Sequence, residues 1–306
     1  MKVKKIIMFG MVAILSLGVL AGCSKPIEEK ELVTSQSSVE TKKSGENKQA
    51  SDGPVAQSLI VNGSTSVQPL AEELAQKFKE TRSYATIDIQ GGGSGTGIKS
   101  AIDGVVDIGM SSRGLKEEEK LLKEYVIATD GIGVIVNPEN GVEDLTSEQI
   151  KKIYMGEIKD WAELGGKTGK ITVVTREEGS GTRGAFIELT GLEVKEGDSK
   201  VDKTTANAIT QGSTGAVITT VSSDPNAIGY ASFGSVQGKT EVKMIKIDGE
   251  ECTEENINNG SYKISRPFLM LTKDEPTGLT KEFIDFMLSA EGQELVALKG
   301  YVKTVR

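Results

Sequence analysis

Histidine is missing from all 306 residues. Its absence removes every Ser-His and Cys-His nucleophile arrangement and the usual zinc ligand sets. Only two cysteines are present, Cys23 and Cys252, too far apart to suggest a disulfide framework. Aromatic residues make up 5% of the chain, and no basic stripe offsets the formal net charge of -8, which argues against a nucleic-acid partner. An acidic surface does not exclude a small anionic ligand, because backbone amides and one buried arginine can dominate a local site. An enzyme is not excluded, but most of the common catalytic toolkit is absent. No cofactor and no metal is expected.

What is present begins at the N-terminus. "MKVKK" carries three lysines and "IIMFGMVAILSLGVL" follows as an unbroken apolar run. A positive start, an apolar stretch and small residues before a cut describe a secretory signal over residues 1–22. The run is short for a membrane-spanning helix, which needs about 20 apolar residues. "LAGC" at Leu20–Cys23 resembles a bacterial lipobox, which implies that Cys23 is diacylated and becomes the first residue. Residues 23–57 are rich in Ser, Thr, Glu, Lys, Gln and Gly, and read as a solvated tether without a core. The globular body starts at Ser58, in a chain long enough for two ordinary domains.

Within the body, strand-turn-helix units recur. "SLIV" reads as a buried strand, and Leu70, Leu74, Ala75 and Phe78 fall at helical spacing after Pro69, which suits a first helical turn. "ATIDIQ" alternates as a second strand, and "IKSAIDG" follows as a helix. "VDIGMSSRGLKEEEKLLKE" reads as strand, turn and charged helix. "YVIATDGIGVIVNPEN" is a long β-rich run that suits a crossing between domains. "LTSEQIKKIYMGEIKDW" gives a helix through Leu145, Ile150 and Ile153, and "VKMIKIDG" and "ISRPFLMLTK" give strands. "TKEFIDFMLSAEGQELVAL" reads as one C-terminal helix. Strands alternating with helices indicate an α/β fold with a largely parallel sheet.

Three turns share one chemistry: "GSTS" at Gly63–Ser66, "GGGSGTG" at Gly91–Gly97 and "REEGSGTRG" at Arg176–Gly184. Each follows a strand and opens a helix, where unpaired N–H groups and a partial positive charge accept an anion. Glycine permits close backbone approach, hydroxyls add donors, and Arg176 and Arg183 add charge. One such turn is only a helix cap. Three with an arginine favour an oxyanion site. Nucleotide motifs fail on spacing: "GKT" occurs at Gly166–Thr168 and Gly238–Thr240, but the first glycine of a Walker A loop is Trp161 or Phe233.

"NGSTSVQPLAEELAQKF", "GGGSGTGIKSAIDGVVDIGMSSRGLK", "DGIGVIVNPEN", "IYMGEIKDW", "REEGSGTRGAF" and "AIGYASFG" together resemble the phosphate-binding lipoprotein of the bacterial high-affinity ABC phosphate importer, over nearly all of Leu59–Arg306. The resemblance implies a two-lobed, type II periplasmic-binding-protein-like fold, with a mixed sheet flanked by helices in each lobe and the ligand cleft between them. Lobe I is expected at 58–130 plus 266–306 and lobe II at 131–265. It implies phosphate bound by Thr65, Ser66, Ser94, Arg176, Ser180, Gly181 and Thr182, with Ser64, Gly95, Arg113 and Glu178 as weaker candidates. Members of the family place an Asp where Ser112 stands, as acceptor for the proton of hydrogen phosphate, and Asp130 is the nearest substitute. The implied partners are a permease with two transmembrane subunits and its ATPase. The implied location is the extracellular face of the cell membrane, through a lipid anchor and a monomeric body. A binding or sensor protein for sulfate or molybdate keeps the same fold. A phosphoryl-transfer enzyme lacks a nucleophile with a base.

Overall fold

The computed structural model describes residues 56–304 other than residue 198. The signal segment, Cys23 and the tether up to residue 55 lie outside the described residues.

The first strand, Gln57–Gly63, starts one residue before the expected body and buries Leu59 and Val61 on one face. It lies between Ala85–Gly91 and Ile108–Ser111, parallel to both. Helix Gln68–Thr81 covers this sheet with Leu70, Leu74 and Phe78, which recur every four residues on one face, and Pro69 sits in its first turn, where its missing N–H is tolerated. Phe78 meets Phe283 edge to face at 5.2 Å and lies 5.5 Å from Phe286, so the C-terminal region packs on the same core.

Strand Lys123–Val136 joins two cores. Up to Gly131 it pairs antiparallel with Ser265–Thr272, and from Ile132 it pairs antiparallel with Ala227–Ser232. Ile127 and Ala128 belong to the core of the first strands, whereas Ile132, Val134 and Val136 belong to a second core with Ile150, Tyr154, Trp161, Phe186 and Tyr230. The described part therefore has two halves, and the strand Lys123–Val136 passes between them. Across the sheet the order is Ala85–Gly91, Gln57–Gly63, Ile108–Ser111, Ser265–Thr272, Lys123–Val136, Ala227–Ser232, Thr172–Arg176 and Ile209–Gln211. Parallel pairings lie toward both ends and antiparallel ones at the crossing, so the sheet is mixed and not largely parallel.

Four local expectations differ from the structure. After Ser111 no charged helix forms, only a 3-10 turn at Glu117–Glu119. Arg113 grips both Glu119 oxygens at 2.7 and 2.8 Å, and from Lys123 the backbone is taken up by the sheet. Leu145 lies in a two-residue strand, because Thr146 caps the helix Ser147–Met155 that follows. "VKMIKIDG" splits into Lys243–Met244, paired with the long strand, and Lys246–Ile247, paired with Asp144–Leu145. The C-terminal helix is two, Gly278–Leu288 and Ala290–Leu298. Ser289 is extended between them and its side chain accepts from Gly292 N. Cys252 is a buried free thiol packed against the Gly131 backbone, and burial raises its pKa. Among the described residues no helix is long and apolar enough to cross a membrane.

Candidate anion-binding site

Four helices start at one place between the halves: Gln68–Thr81 and Ser94–Asp103 from the first, Gly181–Leu189 and Thr214–Ser223 from the second. Their close seating depends on glycine. A Cβ on Gly97 would lie 2.6 Å from Met110 O and 2.7 Å from Asn62 O, so only glycine lets that helix sit on the strand.

In the first turn, Ser64 Oγ accepts from the N–H groups of Ser66 (3.3 Å) and Val67 (3.4 Å) and donates to Ser112 Oγ at 2.9 Å. Ser94 Oγ accepts from Ser112 N at 3.0 Å and lies 3.3 Å from Ser112 Oγ. The glycine loop is tied back by Gly92 N and Gly93 N, which donate to Gly63 O at 2.7 and 2.9 Å. These bonds join Ser64, Ser94 and Ser112 as one wall.

The second half supplies the other wall. Arg176 ends its strand with 2% exposure. Its backbone N–H donates to Tyr230 Oη at 3.2 Å, and Thr175 Oγ1 is 2.9 Å from the same oxygen. Tyr230 is stacked on Phe186 at 4.0 Å, and burial pushes its hydroxyl up to about 12, so it stays a neutral partner. Charge at this depth is costly unless paired. Glu177 pairs it, accepting from Arg176 Nε and Nη2 at 2.8 Å each. Ser180 Oγ caps the next helix by accepting from Arg183 N at 3.2 Å. A Cβ on Gly181 would collide with Ser94 Oγ and lie 2.8 Å from Ser112 Oγ, so the two walls touch here.

Contacts between the halves are short and polar. Ser66 Oγ lies 2.7 Å from Thr182 Oγ1 and 2.9 Å from Thr214 Oγ1. Arg176 Nη2 donates to Thr65 Oγ1 at 3.1 Å, and Gly95 N donates to Gly179 O at 3.0 Å. Thr65, Ser66, Ser64, Ser94, Ser112, Arg176, Gly181 and Thr182 thus meet in one cluster of hydroxyls, backbone amides and a guanidinium. Gly95 joins it through its backbone and Ser180 as the helix cap.

The remaining candidates lie elsewhere. Arg113 is held by Glu119, whose carboxyl this bond keeps below its ordinary value. Arg183 is paired with Asp202 at 2.8 Å, and Glu178 is exposed. Asp130 is 1% exposed and faces Arg266 across the crossing strands. It accepts one bond at each oxygen, from Arg266 Nη2 at 3.1 Å and from Ser232 Oγ at 2.9 Å, and neither partner belongs to the hydroxyl cluster. Burial pushes its carboxyl up to about 6. Two residues of the cluster escaped the sequence reading, Glu177 and Thr214. The signal for Thr214 was available: Gly212-Ser213-Thr214 repeats Gly63-Ser64-Thr65 and opens a helix in the same way.

Such a cluster presents donors and one paired cation to whatever it encloses. Among the described residues no group of three or more Cys, Asp or Glu could hold a metal. Two α/β halves with an anion cage between them define a solute-binding protein. The family model described as a PBP superfamily domain matches residues 48–291. The phosphate-binding protein PstS of Bacillus subtilis is 38% identical over 270 residues, 86% of each chain. That of Borreliella burgdorferi is 30% identical over 80% of this chain and 89% of its own. Among solved structures, a candidate phosphate ABC transporter substrate-binding protein from Clostridium perfringens, with phosphate bound, superposes with a TM-score of 0.76. It is 46% identical and covers 81% of this chain and 100% of its own. An ABC-type phosphate transport receptor from Vibrio cholerae gives 0.65 at 37% identity, over 80% and 100%. The chain belongs to the PBP superfamily and, within it, to the family of PstS phosphate-binding proteins.

Proposed function

We propose that the protein captures inorganic phosphate between its halves and delivers it to an ABC importer, as a binding protein without catalytic activity. The carrying observation is the cage itself: hydroxyls of Ser66 and Thr182 meet across the halves at 2.7 Å, beside buried Arg176. A tetrahedral anion bound by donors from both halves would hold them together as a hinge-type closure. The two lobes of that closure are 58–130 plus 266–306 and 131–265. The contacting set is Thr65, Ser66, Ser94, Ser112, Arg176, Ser180, Gly181 and Thr182. Asp130 is left out, because its two bonds go to Arg266 and Ser232, outside the hydroxyl cluster. The delivery partner is a permease of two transmembrane subunits with its ATPase, and diacylated Cys23 holds the protein at the extracellular face of the membrane.

Titration calorimetry with phosphate, sulfate and molybdate tests the reading. Phosphate is expected to bind most tightly, and sulfate binding of equal affinity overturns the assignment.

A further inference from the structure

The guanidinium of Arg176 is paired with a carboxylate on one side and bonded to hydroxyls on the other. Its Nε and one Nη2 proton are taken by Glu177. At its far end Nη1 donates to Thr214 Oγ1 at 3.0 Å and Nη2 to Thr65 Oγ1 at 3.1 Å. Two threonine hydroxyls, one from each half, thus cover the charged end. A hydroxyl oxygen that accepts from an arginine keeps its own proton to donate, and the charge behind it polarises that O–H. Thr65 Oγ1 also accepts from Thr214 N at 3.2 Å, which uses its second lone pair and leaves it a donor.

Thr214 is not needed as a helix cap. Ser213 performs that task, accepting from Ala216 N at 3.1 Å. Thr214 is 3% exposed, and its hydroxyl lies within hydrogen-bond reach of Arg176, Ser66 (2.9 Å) and Thr65 (3.4 Å), all in the anion cluster. We infer that Thr214 is a further anion-contacting residue, its hydroxyl held in the cluster by Arg176 and Ser66. The inference rests on phosphate as the ligand of this site.

The test is calorimetry with inorganic phosphate on the purified protein, Thr214→Val and Thr214→Ser, with thermal unfolding of each in phosphate-free buffer. Thr214→Val is expected to weaken phosphate binding roughly tenfold to a hundredfold, the range for a hydrogen bond to a charged group. Thr214→Ser keeps the hydroxyl and is expected to stay within about threefold of the parent, with all three unfolding midpoints alike. Valine binding like the parent overturns the role of Thr214 alone. Serine as weak as valine, with both midpoints lowered, also overturns it, since packing then explains the loss. No phosphate binding by the parent overturns the functional reading, and this role with it.

Discussion

At the scale of single residues, the site contains one arginine whose charge is balanced by its own neighbour in sequence. Glu177 makes the burial of Arg176 tolerable, and the hydroxyls around them supply direction. Ser94 contributes one neutral donor, so Ser94→Ala is expected to weaken phosphate binding by roughly fivefold to tenfold, about 1 kcal/mol. Arg176→Ala removes charge-assisted bonds of about 1.5–3 kcal/mol each and is expected to cost at least a further tenfold. Calorimetry on both variants decides the order. Asp130 makes a different statement, about stability. Burial raises its carboxyl to about 6, whereas an unfolded Asp titrates near about 4. The folded state therefore binds this proton more tightly, and its contribution is complete below about pH 4 and lost as pH rises through about 6. The unfolding free energy of the parent relative to Asp130→Asn is expected to fall across that window and to be flat above it. Urea titrations from pH 4 to 7.5 would reject this if the difference rose with pH.

At the scale of elements, the glycine loop is positioned by contact with a strand as well as by its own turn, in which Gly93 has a positive φ. Gly97 lies against the carbonyls of Asn62 and Met110, and the start of the same helix carries Ser94. Gly97→Ala therefore has nowhere to place its methyl group. It is expected to destabilise the fold by about 1–3 kcal/mol and to weaken anion binding by moving Ser94 off the wall. Unchanged binding with unchanged unfolding would show that the helix yields freely. A second element-scale feature is the break at Ser289. A continuous apolar pattern ran through it, but a side chain able to accept from Gly292 N competes with helix continuation.

At the scale of the whole molecule, the two described halves meet at the strand Lys123–Val136, and the hydroxyl cluster joins residues of both. Closure on phosphate, as proposed, would make ligand binding and global stability one linked quantity. At phosphate a thousand times its dissociation constant the protein is expected to gain about 4 kcal/mol. A scan should show a raised unfolding midpoint with phosphate and none with equimolar chloride, and small-angle scattering should show a smaller radius. An unshifted midpoint at saturating phosphate would contradict the linkage.

Much of this was legible in the linear sequence, because strand alternation, helical spacing and hydroxyl-rich helix starts are local patterns. "GSTS", "GGGSGTG" and "REEGSGTRG" named most of the cluster, since each turn carries its own donors wherever it is placed. What local pattern could not determine is which charges face each other across long separations. Asp130 is the nearest substitute for the family's Asp in the sequence, and only the fold shows that Arg266, 136 positions away, bonds to it. Arg113 and Glu119 are only six positions apart, and their ion pair is a local one. Thr214 stands in a helix start that repeats that of Thr65, but only the fold shows that it reaches Arg176 and Ser66. Sequence alone settles which groups can donate. Tertiary structure settles which remain unengaged, because a buried polar group must find a partner and takes the nearest one the fold provides.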